Sequence, residues 1–403
     1  LKNQIDIVDI VSSFIELKKS GANFKACCPF HGEDTPSFTV SPAKQIYHCF
    51  GCSNGGDAIK FVMEYEKVTY PEAIEKIAAL TNFNLEYDNN DSQALNTSIL
   101  DAVNNYYQNN LLSNQNALQY LNSRGITKES IDKFQIGYAS SSNDTINYLK
   151  NNFFDLSMAK ELGIIDSGSN GLYARFIERI TFPIFLQSGK LVGFGGRTIS
   201  GHNAKYVNSP ATKLFNKSAL LFGYNLARES IYQSKEIIIT EGYLDVVMLH
   251  QAGFANSVAT LGTALTSQHI PLLKKSDAKV ILGYDGDKAG MEAAYKASIL
   301  LAQNDFVGGV VIFQNGQDPA DYVKEGRVDE LKSLLLHPKY FVEFALDYIV
   351  KDNLGNYRFD INRPEEKQKI VVKIEEFLST LKPVMAEEFK GYAAHLINLH
   401  PKY

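Results

Sequence analysis

Residues 235–323 contain three sequences that decide the fold: KEIIITEGYLDVVMLH at 235–250, KVILGYDGDKAG at 279–290 and GGVVIFQNGQDPADYV at 308–323. Each contains a run of β-branched and other apolar residues that acidic residues follow. Apolar runs of this length, alternating with helical segments, are typical of buried parallel strands. The stretch therefore predicts an α/β unit with a parallel sheet.

Acidic residues follow the end of each predicted strand. Glu241 follows the first apolar run, Asp285 and Asp287 follow the second, and Asp318 follows the third after a turn that contains glycine. Because ligands of an open α/β sheet lie beyond the carboxyl ends of its strands, we expect these four acids to lie together. Carboxylates repel one another unless cations lie between them, and Mg²⁺ prefers oxygen ligands. A single acid at a strand end is as typical of a loop or a helix cap, but three such ends favour a phosphoryl-transfer site.

The composition limits the classes of protein to consider. A chain of 403 residues with 45% hydrophobic and 21% charged residues is typical of a globular protein with two or three domains. The net charge of −5 argues against a general binder of polyanions. No apolar run is long enough to span a membrane and no secretory signal is visible, so we expect no membrane partner. Four cysteines, three of them in metal-like spacing, favour a reducing cytoplasm over a disulfide framework.

A zinc site is predicted near the beginning of the chain. Cys28 and His31 form one pair with two residues between them, and Cys49 and Cys52 form another, with 17 residues between His31 and Cys49. Three thiolates and one imidazole at this spacing are typical of a closed, structural zinc site in a zinc ribbon. The residues between the pairs predict a β-hairpin. Cys27 does not keep the two-residue spacing to His31, so we expect Cys28 to be the ligand.

The zinc module is rich in aromatic residues for its size. We expect Phe30, Phe38, Tyr47 and Phe50 to be too many for so thin a core, and therefore some to stack on unpaired bases. Residues 1–85 carry eight lysines, no arginine and ten acids, so we expect weak and selective contact with nucleic acid. The alternative is a small metal-stabilised fold with no binding role.

Residues 172–217 are basic although the whole chain is acidic. They contain seven lysines and arginines against one acid, on strand-like patterns with several glycines. This balance suits a nucleic-acid groove or a triphosphate site, and the alternative is a solvated sheet face.

The polar, Asn-rich run at 87–98 marks a linker. The resulting predicted boundaries are 1–86 (zinc ribbon), 87–98 (linker), 99–233, 234–325 (catalytic α/β unit) and 326–403 (helical).

This order of zinc module, basic segment and acid-tipped α/β unit resembles the bacterial DnaG-type DNA primases. CPFHGEDTPSFTVSP followed by HCFGC is similar to the family's zinc-binding domain, and RFIERITFPI, GFGGR and KYVNSP are similar to its polymerase-domain signatures. EGYLDVV, YDGDKAG and DPADYV resemble the Toprim motifs, which topoisomerases and some nucleases share. The resemblance covers almost the whole chain. It implies a multi-domain α/β protein with an N-terminal zinc ribbon, a mixed α+β basic subdomain, a Toprim parallel-sheet subdomain and a C-terminal helical subdomain.

The resemblance also implies an activity and a set of site residues. The chain would synthesise short RNA primers on single-stranded DNA from ribonucleoside triphosphates, with one structural Zn²⁺ and two or more catalytic Mg²⁺ or Mn²⁺ ions. Its partners would include the replicative helicase, through a C-terminal domain that this sequence is expected to lack, and single-strand binding protein. Glu241, Asp285, Asp287 and Asp318 would hold the catalytic metals, and Asp245 would support them. Template or nucleotide would contact Arg124, Arg175, Arg179, Arg197 and Lys205.

The last motif departs from the family pattern. The family often has Asp-Pro-Asp, where this chain has Asp318, Pro319 and Ala320 followed by Asp321. A shift of one residue redirects a side chain, so the sequence leaves open whether Asp321 reaches the metals. Two alternative functions also stay open from the residues: a Toprim nuclease or topoisomerase, and a non-catalytic module that binds single-stranded DNA.

Overall fold

The computed structural model describes residues 6–81, 98–169, 171–201, 204–313, 316–352 and 355–399. The chain divides into two compact units, Leu1–Leu95 and Asn96–Tyr403. Of the predicted linker at 87–98, all but Ser98 lies outside the described residues, and Ser98 begins a helix. The described residues include no helix whose length and apolar character would let it cross a membrane.

The described part of the first unit, residues 6–81, forms a five-stranded antiparallel sheet with three helices. The sheet order is β1-β2-β3-β4-β5, and the predicted hairpin is confirmed as β3 and β4. The elements are α1 (Ile7–Ser12), β1 (Lys18–Ser20), β2 (Asn23–Ala26), β3 (Phe38–Ser41), β4 (Ile46–Cys49), β5 (Gly55–Gly56), α2 (Ala58–Glu66) and α3 (Tyr70–Leu80).

The core of this unit corrects the expectation about its aromatic residues. Phe38 and Tyr47 stack with ring centroids 5.1 Å apart, and Phe61 from α2 packs edge-on against Tyr47 at 5.6 Å. Phe30 packs against the same Phe61 ring at 5.7 Å. Only Phe50 of the four is exposed, at 74%. The other three belong to the core because α2 covers their face of the sheet, which a pattern confined to the hairpin does not reveal.

The second unit begins with helices around a four-stranded antiparallel sheet of order β11-β10-β9-β6. Strands β7 and β8 form a separate hairpin. The elements are α4 (Ser98–Ser113), α5 (Gln115–Ser123), α6 (Lys128–Lys133), β6 (Gly137–Ala139), α7 (Ser142–Asn151), α8 (Leu156–Glu161), β7 (Ile165–Gly168), β8 (Gly171–Ala174), β9 (Arg179–Phe185), β10 (Leu191–Thr198), β11 (Tyr206–Asn208) and α9 (Tyr224–Ser234).

A second sheet follows, with the order β13-β12-β14-β15-β16. The predicted parallel arrangement is confirmed, because β12 pairs in parallel with β13 and β14, and β14 pairs in parallel with β15. The elements are β12 (Glu236–Thr240), α10 (Tyr243–Gln251), β13 (Ser257–Ala259), a 3₁₀ turn (Ser267–His269), α11 (Ile270–Ser276), β14 (Lys279–Leu282), α12 (Lys288–Gln303), β15 (Gly308–Val310) and α13 (Pro319–Lys324).

The third apolar run is only partly a strand. The sequence predicts an extended strand over residues 310–313, but β15 ends at Val310. Beyond that end, the N–H of Val311 still donates to the carbonyl of Leu282 in β14 at 2.8 Å. Val311 and Phe313 are nevertheless buried, in a cluster that contains Tyr322 from α13. The apolar run therefore serves helix packing as well as the sheet, which explains why its length exceeds the strand.

The C-terminal region is helical, as expected, and shares a core with the parallel sheet. Strand β16 pairs antiparallel with β15, and Phe344, Ile370 and Phe377 belong to the same cluster as Ile239 and Leu282. The elements are α14 (Val328–Leu336), β16 (Lys339–Tyr340), α15 (Phe341–Val350), α16 (Pro364–Ser379) and α17 (Pro383–Leu396).

Candidate active site and metal centre

A cavity of about 290 Å³ lies beyond the carboxyl ends of β12 and β14 in the second unit. Its walls come from the helix–strand connections of the parallel sheet and from the edge of the antiparallel sheet. Its lining residues are Arg124, Arg197, Lys205, Tyr206, Asn208, Glu241, Gly242, Tyr243, Leu244, Asp245, Met248, Gly262, Asp285, Asp318, Ala320, Asp321 and Lys324. Acidic and basic side chains therefore meet at one opening.

Four of the five predicted catalytic acids line this cavity. The backbone N–H of Asp285 donates to Oε1 of Glu241 at 3.3 Å, which joins the ends of two neighbouring strands. Asp245 is buried at the start of α10, where its Oδ2 accepts from the N–H of Gly242 at 3.0 Å. Asp318 caps α13 by accepting from the N–H of Asp321 at 2.8 Å. Neighbouring parallel strands end at the same edge of the sheet, which explains why acids far apart in sequence come together there.

Asp287 and Asp321 occupy different positions around the acids. Asp287 is exposed and does not line the cavity, and its Oδ1 accepts from the N–H of Gly290 at 2.8 Å to cap α12. Its charge still raises the pKa of Glu241 and of Asp285. Asp321 does line the cavity, and its Oδ2 accepts from the N–H of Asp318 at 3.2 Å. The residue after Ala320 therefore faces the site, although one of its oxygens serves the helix cap.

The acids lie in surroundings that oppose their charge. Burial and then repulsion from Asp285 raise the pKa of Glu241 to about 7. Burial and then repulsion from Asp318 and Asp287 raise the pKa of Asp285 to about 6. Burial also raises the pKa of Asp318, and it raises that of Asp245 well above its usual range. Divalent cations would relieve this repulsion, so the donor set fits oxygen-bound Mg²⁺ or Mn²⁺.

Three of the five predicted basic residues line the same cavity. The guanidinium carbon of Arg197 lies 5.3 Å from the ring centre of Tyr120 and 5.0 Å from that of Tyr206, and its Nη1 donates to the Tyr206 hydroxyl at 2.7 Å. Burial raises the pKa of Asp285 and of Asp318, and the positive charges of Lys205 and Arg124, respectively, offset part of that rise. Positive charge therefore faces each of these two acids across the cavity.

Arg175 and Arg179 do not line the cavity. Arg179 is buried, and its guanidinium donates to the carbonyl oxygens of Ala204 at 2.9 Å and of Lys205 at 3.3 Å. Arg175 donates from Nε to the carbonyl of Asn208 at 3.0 Å. Both arginines thus hold the segment that brings Lys205 and Asn208 to the cavity. Their direct contact with nucleotide or template stays a prediction.

Several lining residues were not selected from the sequence. The hydroxyl of Tyr243 donates to Oδ1 of Asn208, whose Nδ2 donates to the carbonyl of Leu261 at 2.7 Å. This chain of hydrogen bonds joins the antiparallel sheet to the parallel one. Tyr206 and Asn208 belong to the KYVNSP sequence, and Lys324 ends the helix that Asp318 begins. The KYVNSP motif could have drawn attention to Tyr206 and Asn208, but the sequence does not show which way their side chains point.

The predicted zinc ligands come together in the first unit. The ligand atoms of Cys28, His31, Cys49 and Cys52 all lie within 4.8 Å of one another. Sγ of Cys28 lies 3.8 Å from Sγ of Cys52, and Sγ of Cys49 lies 3.9 Å from Nδ1 of His31. These separations suit tetrahedral Zn²⁺ with its bonds of about 2.0–2.3 Å. Cys27 is exposed and is not one of the four clustered residues, which favours Cys28 as the ligand.

Known families match three parts of the chain, between residues 1 and 323. Residues 1–93 match the CHC2 zinc finger, residues 106–228 match the N-terminal domain of the DNA primase catalytic core, and residues 238–323 match a Toprim-like family. These assignments agree with the zinc ribbon, the basic subdomain and the acid-tipped sheet described above.

Similar proteins and structures agree with these matches. The DNA primase of Helicobacter pylori strain 26695 is 45% identical in an alignment 402 positions long, which covers 98% of this chain and 70% of that protein. The DNA primase of Campylobacter jejuni is 40% identical in an alignment 407 positions long, which covers 100% of this chain and 66% of that protein.

Two solved structures extend the comparison. The Aquifex aeolicus primase, with its zinc-binding and RNA polymerase domains, gives a TM-score of 0.65 at 34% identity and covers 100% of this chain and 96% of its own. A DnaG primase catalytic domain bound to single-stranded DNA gives 0.66 at 27% identity, with coverage of 76% and 96%. With its zinc ribbon, its acid-lined cavity and these relatives, the chain belongs to the bacterial DNA primases, which are DNA-directed RNA polymerases.

Proposed function

We propose that the cavity is the nucleotidyl-transfer site and that Glu241, Asp285 and Asp318 hold its catalytic divalent cations. The observation that carries this proposal is the meeting of these acids with Arg124, Arg197 and Lys205 around one cavity of about 290 Å³. Bound Mg²⁺ or Mn²⁺ would lower the pKa of a ribose hydroxyl and balance charge on the transferring phosphoryl group.

The remaining acids have supporting roles in this proposal. Asp245 is buried and fixed by Gly242, so it holds the first turn of α10 close to Glu241. Asp287 adds negative charge from the solvent side while it caps α12. Asp321 ties its own helix to Asp318 and presents a carboxylate to the cavity. These three acids would strengthen the negative electrostatic potential at the cations, but the cations would not require each of them as a ligand.

The basic residues would bind triphosphate and template. Arg197 is already held between two tyrosine rings. Its side chain would therefore lose little further freedom when it binds a phosphate group. Arg179 fixes the backbone at Lys205, which places that ammonium opposite Asp285. Because these contacts act mainly through charge, binding of template and nucleotide should weaken as salt concentration rises.

The reaction would be RNA primer synthesis on single-stranded DNA. The 3′-hydroxyl of one ribonucleotide attacks the α-phosphorus of the next triphosphate, a new phosphodiester bond forms, and pyrophosphate leaves. The solved relative bound to single-stranded DNA supports this choice of template. We place the reaction in the bacterial cytoplasm, with the replicative helicase and single-strand binding protein as partners.

The zinc unit would help to select the start position on the template. Its separate core and the polar sequence at 87–98 support a tethered module. Cleavage within 87–98, followed by mixing of the two halves, should broaden the choice of start sites. Unchanged start sites after cleavage would contradict this role.

The deciding experiment is primer synthesis with labelled ribonucleotides, Mg²⁺ and single-stranded DNA. We compare the native chain with Asp285→Ala and with Asp329→Ala, which changes an exposed acid on α14. The native chain and Asp329→Ala should make short RNA products, and Asp285→Ala should make none. Equal product from all three chains would contradict the proposed site. Loss of the DNA strand without ribonucleotides would instead favour a nuclease.

A further inference from the structure

Glu33 occupies the centre of the turn that carries the first pair of zinc ligands. Its Oε1 accepts from the backbone N–H of Cys28 at 2.7 Å and from that of Ser37 at 3.0 Å. Its Oε2 accepts from the Ser37 hydroxyl at 2.5 Å and lies 3.3 Å from Nε2 of His31. The side chain of Glu33 is only 12% exposed, so water competes little for these contacts. One carboxylate thus joins two zinc ligands and a serine.

The contact with His31 determines which ring nitrogen is available to zinc. Nε2 of His31 faces the carboxylate of Glu33, and Nδ1 faces the sulfur of Cys49 at 3.9 Å. A neutral imidazole carries one N–H and one lone pair. A carboxylate 3.3 Å from Nε2 favours the tautomer that carries its proton on Nε2, which leaves the lone pair on Nδ1 for the metal.

The contact with Ser37 extends the influence of Glu33 to a third ligand. The Ser37 hydroxyl oxygen lies 3.1 Å from Sγ of Cys49. The hydroxyl has one proton, which it donates to Glu33, and Glu33 also accepts from the N–H of Ser37. These two contacts fix the position of the serine oxygen beside Sγ of Cys49. Glu33 therefore acts directly on Cys28 and His31, and through Ser37 on Cys49.

Gly51 closes the other side of this arrangement. A Cβ atom at Gly51 would lie 2.6 Å from Nε2 of His31 and 3.0 Å from the Ser37 hydroxyl oxygen. The imidazole is thus confined between the backbone of Gly51 and the carboxylate of Glu33. The ring has little room to rotate while Glu33 is in place, but loss of the carboxylate would free one side of it.

We propose that Glu33 is the positioning residue of the zinc site, which fixes Nδ1 of His31 as the ligand atom and slows the loss of the metal. Carboxylates that bind a metal-ligating histidine orient the ring and raise its basicity, and their removal typically weakens metal binding by about 10–100-fold. The inference takes zinc as the occupant of the four-ligand site. It concerns retention of the metal and is independent of the polymerase chemistry proposed above.

The test uses the zinc-loaded full chain and three variants. Glu33→Gln keeps the size and the acceptor for the two backbone N–H groups, but it places an amide N–H₂ against both the Ser37 hydroxyl and the His31 N–H. Ser37→Ala removes only the hydroxyl, which donates to Glu33 and lies beside Cys49. Asp34→Asn changes the exposed neighbouring acid and serves as the matched control. Zinc transfer to a chromophoric chelator gives the rate of loss and the affinity, and the visible spectrum of the Co²⁺-loaded chain reports the ligand geometry.

We expect Glu33→Gln to bind zinc about 10–100-fold more weakly than the native chain and to alter the Co²⁺ spectrum. Ser37→Ala should lose zinc a few-fold faster, and Asp34→Asn should match the native chain in both measurements. Native rates and spectra for Glu33→Gln would overturn the proposal. If Glu33→Gln does not fold with zinc present, Ser37→Ala decides, and a native rate and spectrum for that variant would overturn the proposal equally.

Discussion

Glu241 and Asp285 lie in surroundings that penalise their ionised forms. The pKa of Glu241 is raised to about 7 and that of Asp285 to about 6, in both cases first by burial and then by neighbouring carboxylates. An unfolded chain would release these protons near pH 4 to 4.5. The folded chain therefore holds more protons than the unfolded chain between about pH 4 and pH 7. The free energy of unfolding contributed by these groups falls as pH rises through that window.

Because the free energy of unfolding falls as pH rises, we can predict how Mg²⁺ and pH act together on stability. Without divalent cations, Asp285→Asn should raise the unfolding temperature at pH 8, by an amount that corresponds to on the order of 1 kcal/mol after screening by solvent. Added Mg²⁺ should stabilise the native chain strongly at pH 8 and little at pH 5.5, because protonated carboxylates do not bind it. Thermal unfolding at both pH values, with and without Mg²⁺, checks this. A Mg²⁺ response that is equal at both pH values, or that Asp285→Asn retains in full, would contradict it.

At the scale of secondary-structure elements, the first turn of α12 lies unusually close to two strand ends. A Cβ atom on Gly290 would lie 2.2 Å from the carbonyl oxygen of Asp285 and 2.8 Å from Oε1 of Glu241. The N–H of Gly290 also donates to Asp287, so this turn meets all three acids. The absence of a side chain at Gly290 therefore lets the helix begin next to the cluster.

We expect Gly290→Ala to reduce primer synthesis by at least about tenfold, because the turn must move away from the acids, and a 1 Å misplacement can cost about 100-fold in rate. The matched control is Gly391→Ala in α17, where a Cβ atom would meet nothing within 4 Å. That change should leave activity unaltered and stabilise the helix by about 0.5–1 kcal/mol. Product yield and unfolding temperature are measured for both. Native activity in Gly290→Ala would show that the close approach does not constrain the site.

The length and burial of each element explain which elements the sequence could predict. The strands that end at Thr240 and Leu282 could be predicted because their apolar runs are buried on both faces. An acid follows directly after Thr240 and three residues after Leu282. Strands β13 and β16 have only three and two residues, too few for any pattern. The direction of Arg179 depends on carbonyl groups at Ala204 and Lys205, which come near it only when the sheet forms. Contacts of that kind are long-range and leave no local signal.

At the scale of the whole molecule, each unit has a core of its own. Ile10, Phe38, Tyr47 and Phe61 belong to one cluster in the first unit, and the parallel sheet with its helices forms another in the second. The zinc ligands Cys28 and Cys49 are part of the first cluster, so the metal crosslinks a core of few residues. The second unit includes a much larger set of buried residues and needs no zinc for its packing. Loss of zinc should therefore affect the two units very differently.

We expect removal of zinc with a zinc-selective chelator to unfold the first unit and leave the second folded. Hydrogen–deuterium exchange of the full chain resolves the two by peptide. Amides in β3 and β4 should lose their protection when zinc is removed, because two of the four ligands lie in or beside these strands. Amides in β12 and β14 should exchange at an unchanged rate, because their protection comes from the parallel sheet and the packed helices. Re-addition of Zn²⁺ should restore protection, which distinguishes metal loss from chemical damage. Faster exchange in β12 and β14 after zinc removal would mean that the second unit depends on the first for its stability, and unchanged exchange in β3 and β4 would mean that the zinc ribbon holds its fold without the metal.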